Sequence, residues 1–215
     1  IWMDEEGART RAKAADEALV RGEDWGPFHG LPMTIKESFN IAGSPTTWGR
    51  PELKDNIAHS NAHYVDRLLA AGAVIFGKTN VPINLADWQS FNEIYGTTNN
   101  PWDLKLTPGG SSGGSAAALA AGLTGLDAGS DIGASIRNPA HYCGVFGHKP
   151  TFGIVPPDGQ NIPGVFNRSD ISVVGPLARS AEDLALSLDI VAGPNKFASA
   201  AWRLTLPPPR RKALK

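Results

Sequence analysis

The sequence predicts an α/β fold with a mixed, partly parallel β-sheet. Amphipathic stretches with helical spacing alternate with short apolar runs, and turn residues separate them. The apolar run Ala-Val-Ile-Phe at 73–76 is typical of a strand buried on both faces. The chain has 215 residues, of which 41% are hydrophobic, so it can form one domain with a sizeable core.

Helices are predicted where small and apolar residues recur every three or four positions. The first covers 5–21, with Gly22 as its stop, and the second covers 59–71, with Gly72 as its cap. A third, made of small residues, follows a glycine-serine run. The last begins at Ser180, whose hydroxyl is expected to cap the helix, with Asp183 in the position of the capping-box acid. The third and last helices are predicted over 115–121 and 180–191.

Strands are predicted where short apolar runs lie between turn signals. The first ends at Lys36. The stretch 92–114 is rich in Asn, Thr, Gly and Pro and is predicted to be a loop. The predicted strands are 31–35, 73–76, 126–128, 154–155 and 171–174.

Composition argues against several classes of function. The formal net charge is −1 and no basic block lies in the predicted folded region, so nothing indicates nucleic-acid binding. A basic cluster, Arg210, Arg211 and Lys212, follows three prolines and is interpreted as part of a solvated linker over 207–215. The single cysteine, Cys143, fits a reducing, cytoplasmic setting. No apolar run approaches the ~20 residues of a membrane span. Both ends look cut, and we expect a fragment.

Gly72 to Thr79 matches the phosphate-loop pattern letter for letter. The residues between its glycines are Ala-Val-Ile-Phe, which favour a strand rather than a loop that curls around phosphate. Pro82 also interrupts the helix that should follow. Nucleotide binding is therefore a remote alternative, and the preferred interpretation is a core strand that ends near Lys78.

The serine-glycine segment, 109–115, contains the nucleophile-elbow pattern twice, centred on Ser111 and on Ser112. An elbow follows an apolar strand, which is missing here. Its histidine would have to be His141 or His148, both in Gly- and Pro-rich sequence. An esterase of this type stays open as an alternative, and it requires Ser112 and a histidine but not Lys36.

A third motif, Gly129 to Arg137, places small residues just before Ser135. Consecutive backbone N–H groups in such a turn suit an oxyanion hole, in which fixed donors surround the carbonyl oxygen under attack. Turns of this composition are common, so the motif alone is weak evidence.

Together, these segments resemble the amidase signature family. The serine-glycine segment, the 129–137 motif and Cys-Gly-Val-Phe-Gly-His-Lys-Pro-Thr at 143–151 agree with it in order and spacing, and 29–37 resembles the segment that carries its catalytic lysine. The resemblance covers about 5–193. It implies the family's fold, a central sheet with helices on both faces, truncated here at the C-terminal side because members are roughly twice this length. The whole of 1–215 would be one incomplete domain of this kind.

The resemblance also implies a mechanism. Ser135 would be the nucleophile, Ser111, held after a cis peptide bond, would relay the proton, and Lys36 would be the base. Lys36 must be uncharged, which burial without a neighbouring carboxylate favours; Glu37 would point to the opposite face of the strand. The backbone N–H groups of the oxyanion hole would come from Ile132, Gly133, Ala134 and Ser135. The residues expected to surround and pin the site are Ser112, Ser130, Asp131 and Arg137.

One residue departs from the family pattern, which has glycine where this chain has Ala134. A positive φ there would cost alanine about 1–2 kcal/mol, and the methyl group would narrow the acyl pocket. We expect activity to survive, with a bias toward small acyl groups.

The predicted function is hydrolysis of a small-molecule carboxylic amide, with the 86–95 segment beside the pocket. An amidotransferase subunit of the kind that charges glutaminyl-tRNA is the main alternative, and it would need partner chains. Neither a cofactor nor a metal is expected, because the five histidines and the lone cysteine lack ligand spacing. No membrane partner is expected, and a homodimer is left open.

Overall fold

The computed structural model describes residues 1–165 and 169–208. Its helices are α1 (Glu5–Val20), α2 (His63–Ala70), α3 (Gly113–Ala120), α4 (Arg137–Cys143) and α5 (Ala181–Val191). Its strands are β1 (Trp2–Met3), β2 (Pro32–Lys36), β3 (Val74–Thr79), β4 (Phe91–Asn92), β5 (Gly96–Thr97), β6 (Leu126–Asp131), β7 (Phe146–Gly147) and β8 (Val173–Ala178). The predicted linker lies, from residue 209 onward, outside the described residues.

The strands form a mixed arrangement, as the sequence predicts. In one sheet β2 and β3 are parallel and β1 pairs antiparallel with β3. A second, antiparallel sheet has the order β6-β8-β7, and β4 and β5 form a small separate hairpin. β6 lies beside β2, and Thr34 Oγ1 donates a hydrogen bond of 2.6 Å to Asp127 Oδ2 between them. The ends of β2 and β6 therefore lie close together.

Helices cover both faces of these strands. On one face, α2 and α5 pack over Ile35, Ala128 and Val174 in the larger apolar cluster. On the other, α3 and α4 pack around Leu177 in a smaller one. The small residues of α3 permit close approach: a Cβ at Gly114 would lie 2.2 Å from the backbone N of Asn80. The serine-glycine segment is thus held tightly against the end of β3.

Most predicted elements are confirmed, with shifted bounds. The first helix ends at Val20, the second begins four residues later than predicted, and β6 extends through Asp131. Ser180 caps α5, since its Oγ accepts the Asp183 N–H at 3.0 Å. The predicted loop contains the β4–β5 hairpin and the start of α3.

The predicted strand at 154–155 is wrong. The Ile154 carbonyl accepts the Gly193 N–H at 2.7 Å, and its own N–H bonds within a turn to Thr151. The apolar pair reflects burial against the larger cluster, not strand pairing. The strand predicted at 171–174 instead begins at Val173 and ends at Ala178, because its partner β6 continues alongside it.

The preferred interpretation of 72–79, a core strand that ends near Lys78, is confirmed, and the remote phosphate-loop alternative does not fit. Residues 74–79 are strand β3, so their backbone N–H groups cannot curl around phosphate. Lys78 is buried, and its Nζ donates to Pro45 O at 2.6 Å and to Thr46 Oγ1 at 2.9 Å. The burial lowers the pKa of Lys78 to about 8, although the charge of Glu37 opposes this.

Candidate active site

Lys36 is the last residue of β2, and its side chain is fully buried. Its Nζ donates hydrogen bonds to three hydroxyl oxygens, those of Ser111 at 2.7 Å, Ser112 at 2.9 Å and Ser130 at 3.0 Å. Among the described residues no carboxylate forms a salt bridge with it. Burial lowers the pKa of Lys36 to about 7, against the opposing charges of Asp131, Asp127 and Glu37. Near neutral pH a large fraction of this amine is therefore uncharged and can accept a proton.

Glu37 does not pair with this lysine. Its carboxylate, also fully buried, accepts the backbone N–H groups of Thr47 and Trp48, the latter at 3.0 Å. Successive side chains in a strand point to opposite faces, so Glu37 anchors a neighbouring loop while Lys36 faces the serines. The Glu37 carboxylate is thus kept apart from the Lys36 amine, as the sequence predicts.

Ser111 follows a cis peptide bond from Gly110, as the family resemblance implies. Gly110 is enclosed by chain on one side, since a Cβ there would lie 2.4 Å from Asp87 O. The next residue joins this segment to the 132–135 turn, because the Ser112 N–H donates to Ser135 O at 3.1 Å. Ser111 and Ser135 are brought to one place by this contact.

Asp131 organises the turn that follows β6. Its buried carboxylate accepts the backbone N–H groups of Ala134 at 2.9 Å and Ile136 at 3.0 Å. It also receives two bonds of 3.0 Å from the Arg137 guanidinium. Burial alone would raise the pKa of Asp131, but the Arg137 side chain and the N–H groups of Ile136 and Arg137 outweigh it, and the pKa lies below its ordinary value. The carboxylate is thus a charged anchor for the turn.

The hydrogen bond between the Ala134 N–H and Asp131 reduces the number of backbone N–H groups that can form the predicted oxyanion hole. The Ala134 N–H is committed to that carboxylate. Among the described residues, the N–H groups of Ile132, Gly133 and Ser135 have no acceptor, so these three are the candidate donors. Ala134 itself has φ +77°, the left-handed conformation that is costly for alanine.

Two adjoining hollows meet at Ser135. The first, the cleft, contains Ser111 and Ser130, and its other walls are largely apolar. The second lies on the side of residues 85–88 and is called the side hollow. The cleft is lined further by Trp48, Asn84, Leu85, Ile132, Pro157, Gln160, Asn161, Ile162, Val165, Ser169 and Ser172. The side hollow is lined by Leu85, Ala86, Asp87, Trp88, Ile132 and Gly133.

The hydroxyls of Ser111 and Ser135 face the same cleft, but no hydrogen bond joins them in the described structure. Of the predicted 86–95 segment, Ala86, Asp87 and Trp88 line the side hollow. The later part is structural: buried Asn92 bonds to Asn80 Oδ1 and to Val81 O.

Sequence reasoning missed two residues of the site. Gln160 is buried, and its Nε2 donates to Ser38 Oγ at 2.9 Å and to Ser130 Oγ at 3.2 Å. Trp48, with φ +55°, forms part of the cleft wall. Neither belongs to a motif, and both reach the site only through long-range packing, so no local sequence signal marked them.

The elbow-type arrangement lacks its histidine. No histidine side chain of the described residues bonds to Ser111, Ser112 or Ser135. In the same residues no group of three or more His, Cys, Asp or Glu side chains is placed to hold a metal ion. The helices described, the longest being α1, include none with the length and apolar character needed to span a membrane.

The fold and the arrangement of Lys36 and the serines characterise a class of proteins. Comparison with known proteins identifies that class. A model of the amidase family matches residues 1–213, and the chain belongs to that family, the amidase signature enzymes. It is 44% identical to human fatty-acid amide hydrolase 2 over 182 residues, covering 85% of this chain and 34% of that protein.

Two further proteins show the range of the family. The chain is 39% identical to a glutamyl-tRNA(Gln) amidotransferase subunit from Natranaerobius thermophilus over 207 residues, covering 96% of this chain and 41% of that protein. The crystal structure of a bacterial aryl acylamidase superimposes with a TM-score of 0.86 at 30% identity, covering 96% of this chain and 42% of the other. The chain thus spans between about a third and just over two-fifths of the length of these three relatives.

Proposed function

We propose that the protein hydrolyses a small-molecule carboxylic amide to an acid and an amine through an acyl-enzyme on Ser135. The observation that carries this is a buried amine, that of Lys36, with a pKa of about 7 and a 2.7 Å bond to Ser111 Oγ in the cleft that also contains Ser135. Membership of the amidase family supports the same reaction.

The first step forms the acyl-enzyme. Uncharged Lys36 takes the hydroxyl proton of Ser111 as Ser111 takes that of Ser135, and Ser135 Oγ attacks the amide carbon. A rotation of Ser111 or Ser135 completes the relay, since their hydroxyls are not bonded beforehand. The carbonyl oxygen becomes an oxyanion that the N–H groups of the 132–135 turn stabilise.

The remaining steps reverse the proton path. The C–N bond breaks as its nitrogen takes a proton from Ser111, which takes one from the Lys36 ammonium. An amine leaves, and an ester remains on Ser135. Water attacks the ester, giving its proton through the same relay, and the acid is released with Ser135 restored.

The proposed roles of the surrounding residues follow from their contacts. Ser112 and Ser130 hold the Lys36 amine, while Asp131 and Arg137 fix the 132–135 turn. In this proposal residues 1–215 are part of one amidase domain that needs no cofactor. A reducing, cytoplasmic setting accords with a free, buried Cys143.

Labelling with a fluorophosphonate tests the nucleophile. The reagent is expected to add to Ser135, with the adduct located by peptide mass spectrometry, and the Ser135→Ala variant should take up none. Ser112→Ala is the matched control and should still be labelled at Ser135. An adduct on another residue would overturn the mechanism.

An amidotransferase subunit remains a second candidate, because a relative of that kind is 39% identical over 207 residues. It shares the chemistry at Ser135 but delivers ammonia to an acceptor. Co-purifying partner chains, and ammonia transferred to aminoacylated tRNA, would favour this candidate. Free ammonia released from simple amides by the unaccompanied protein would favour the hydrolase.

A further inference from the structure

Trp88 lines the side hollow and bonds to the turn that carries Ser135. The residue is 56% exposed, yet its Nε1–H donates a hydrogen bond of 3.0 Å to the carbonyl oxygen of Gly133. Gly133 lies in the 132–135 turn, directly before the residues that lead to Ser135. The proposed mechanism gives Trp88 no part.

The peptide group between Gly133 and Ala134 is held at both ends. Trp88 bonds its carbonyl, and Asp131 Oδ1 accepts its N–H at 2.9 Å. A peptide group is planar, so two opposed bonds fix the orientation of the plane. The N–H groups of Gly133 and Ser135 belong to the two adjacent peptide groups, each linked to this plane through one Cα, so fixing the plane restricts the directions that they can take.

Trp88 is in turn fixed to the serine-glycine segment. Its carbonyl oxygen accepts the Thr107 hydroxyl at 3.1 Å, and Thr107 Oγ1 accepts the Gly109 N–H at 3.0 Å. The preceding residue packs its carbonyl against Gly110. The chain around Trp88 therefore links the segment that carries Ser111 to the turn that carries Ser135.

We propose that Trp88 is a positioning residue that aims the backbone N–H donors of Gly133 and Ser135 at the oxyanion. The inference rests on the proposed function. A substrate in the side hollow, where Trp88 and Gly133 both contribute to the lining, excludes water from the indole-to-carbonyl bond. A hydrogen bond is electrostatically stronger in such a low-dielectric setting, so the turn is held most firmly when the substrate is bound.

Trp88→Phe tests this, because phenylalanine keeps an aromatic ring in the side hollow and removes the N–H. Trp102→Phe is the matched control. The Trp102 indole is also exposed, at 72%, and its Nε1 donates to a backbone carbonyl, that of Cys143 at 2.7 Å, outside both hollows. Both variants lose the same kind of bond, and only one loses it at the 132–135 turn.

For Trp88→Phe, kcat is expected to fall about tenfold while KM stays within about twofold, because the donors are needed most in the transition state. The affinity of a trifluoromethyl ketone, whose adduct with serine carries an oxyanion, should fall in parallel. The affinity of the carboxylate product should not change. Trp102→Phe should leave all these quantities near the parent values.

Equal kcat in the two variants would overturn the inference, as would a loss of kcat with no loss of ketone affinity. Ser135→Ala in the same assay separates this from a failure of the proposed function. If Ser135→Ala is inactive and Trp88→Phe is unaffected, only the role of Trp88 is wrong. If Ser135→Ala keeps the parent rate, the proposed function is wrong, and this inference with it.

Discussion

Lys36 Nζ and Ser111 Oγ lie 2.7 Å apart, and both side chains are almost wholly excluded from solvent. They are 75 positions apart in the chain. β2 ends at the lysine, while the serine comes just before α3. Burial lowers the pKa of the amine, and in the proposed mechanism the Ser111 hydroxyl carries the proton between that amine and Ser135.

Ser111 and Ser112 both bond to Lys36, but only Ser111 is proposed to carry the proton. Ser111→Ala is expected to lower kcat by about 10²–10⁴, the usual contribution of general acid–base catalysis. Ser112→Ala removes one bond to Lys36 and should cost about tenfold or less. Steady-state kinetics on both variants makes the comparison. A larger loss at Ser112 than at Ser111 would favour the elbow-type arrangement.

Ala134→Gly is expected to stabilise the protein. Alanine at φ +77° costs about 1–2 kcal/mol, and glycine returns about 0.5–1 kcal/mol of this through the greater freedom of the unfolded chain. A gain of about 0.5–1 kcal/mol should appear in urea denaturation.

The control for that measurement is Gly133→Ala, where φ is not positive and an added Cβ would meet nothing within 4 Å. It isolates the effect of the unfolded chain, and its stability should rise by about 0.4–1 kcal/mol. A destabilised Ala134→Gly protein would contradict the argument from φ. The expected bias toward small acyl groups is tested with the same variant: glycine should raise kcat/KM for bulky amides relative to small ones.

Asp127 is a buried carboxyl group that has no part in the proposed mechanism. Its Oδ2 accepts the Thr34 hydroxyl at 2.6 Å, while its Oδ1 has no hydrogen-bond partner among the described residues. Burial raises the pKa of Asp127 to about 7, against about 3.9 in an unfolded chain. The folded state therefore holds a proton that the unfolded state releases between about pH 4 and pH 7. The parent loses stability as pH rises through this range.

Asp127→Asn removes this loss of stability at higher pH, because asparagine does not titrate. Its side-chain oxygen can still accept the hydrogen bond of the Thr34 hydroxyl. The difference of about 3 pKa units corresponds to about 4 kcal/mol, so the variant should exceed the parent by about that much above pH 7 and match it near pH 4. Denaturation at pH 4.5 and pH 8 measures the difference. A gap that is the same at both pH values would show that Asp127 does not titrate in this range.

Helical and apolar spacing predicted α1, α2, α3, α5 and a partly parallel sheet, and the motifs of the family resemblance singled out Lys36, Ser111 and Ser135. Each depended on neighbours in sequence or on a motif. Helix α4 was missed because it is short and contains Pro139, which is tolerated in the first turn, where N–H groups lack partners. Gly144, with φ +67°, ends that helix, and it was the one local signal available.

Contacts between residues that are far apart in the chain could not be predicted from the sequence. Gln160 meets Ser130 and Ser38, and Trp88 meets Gly133, at separations that no local periodicity encodes. The commitment of the Ala134 N–H to Asp131 was missed for a different reason. Both residues lie in one motif, but which N–H groups stay free depends on the dihedral angles of the turn.

The pH dependence of kcat/KM tests most directly whether an uncharged Lys36 is the base. Because protonated Lys36 cannot accept a proton, kcat/KM should fall tenfold per pH unit below an apparent pKa of about 7. Lys78→Met, which alters the other buried lysine, should keep this limb, and Lys36→Met should abolish turnover. A Lys36→Met protein that retained the parent rate with the same limb would contradict the account.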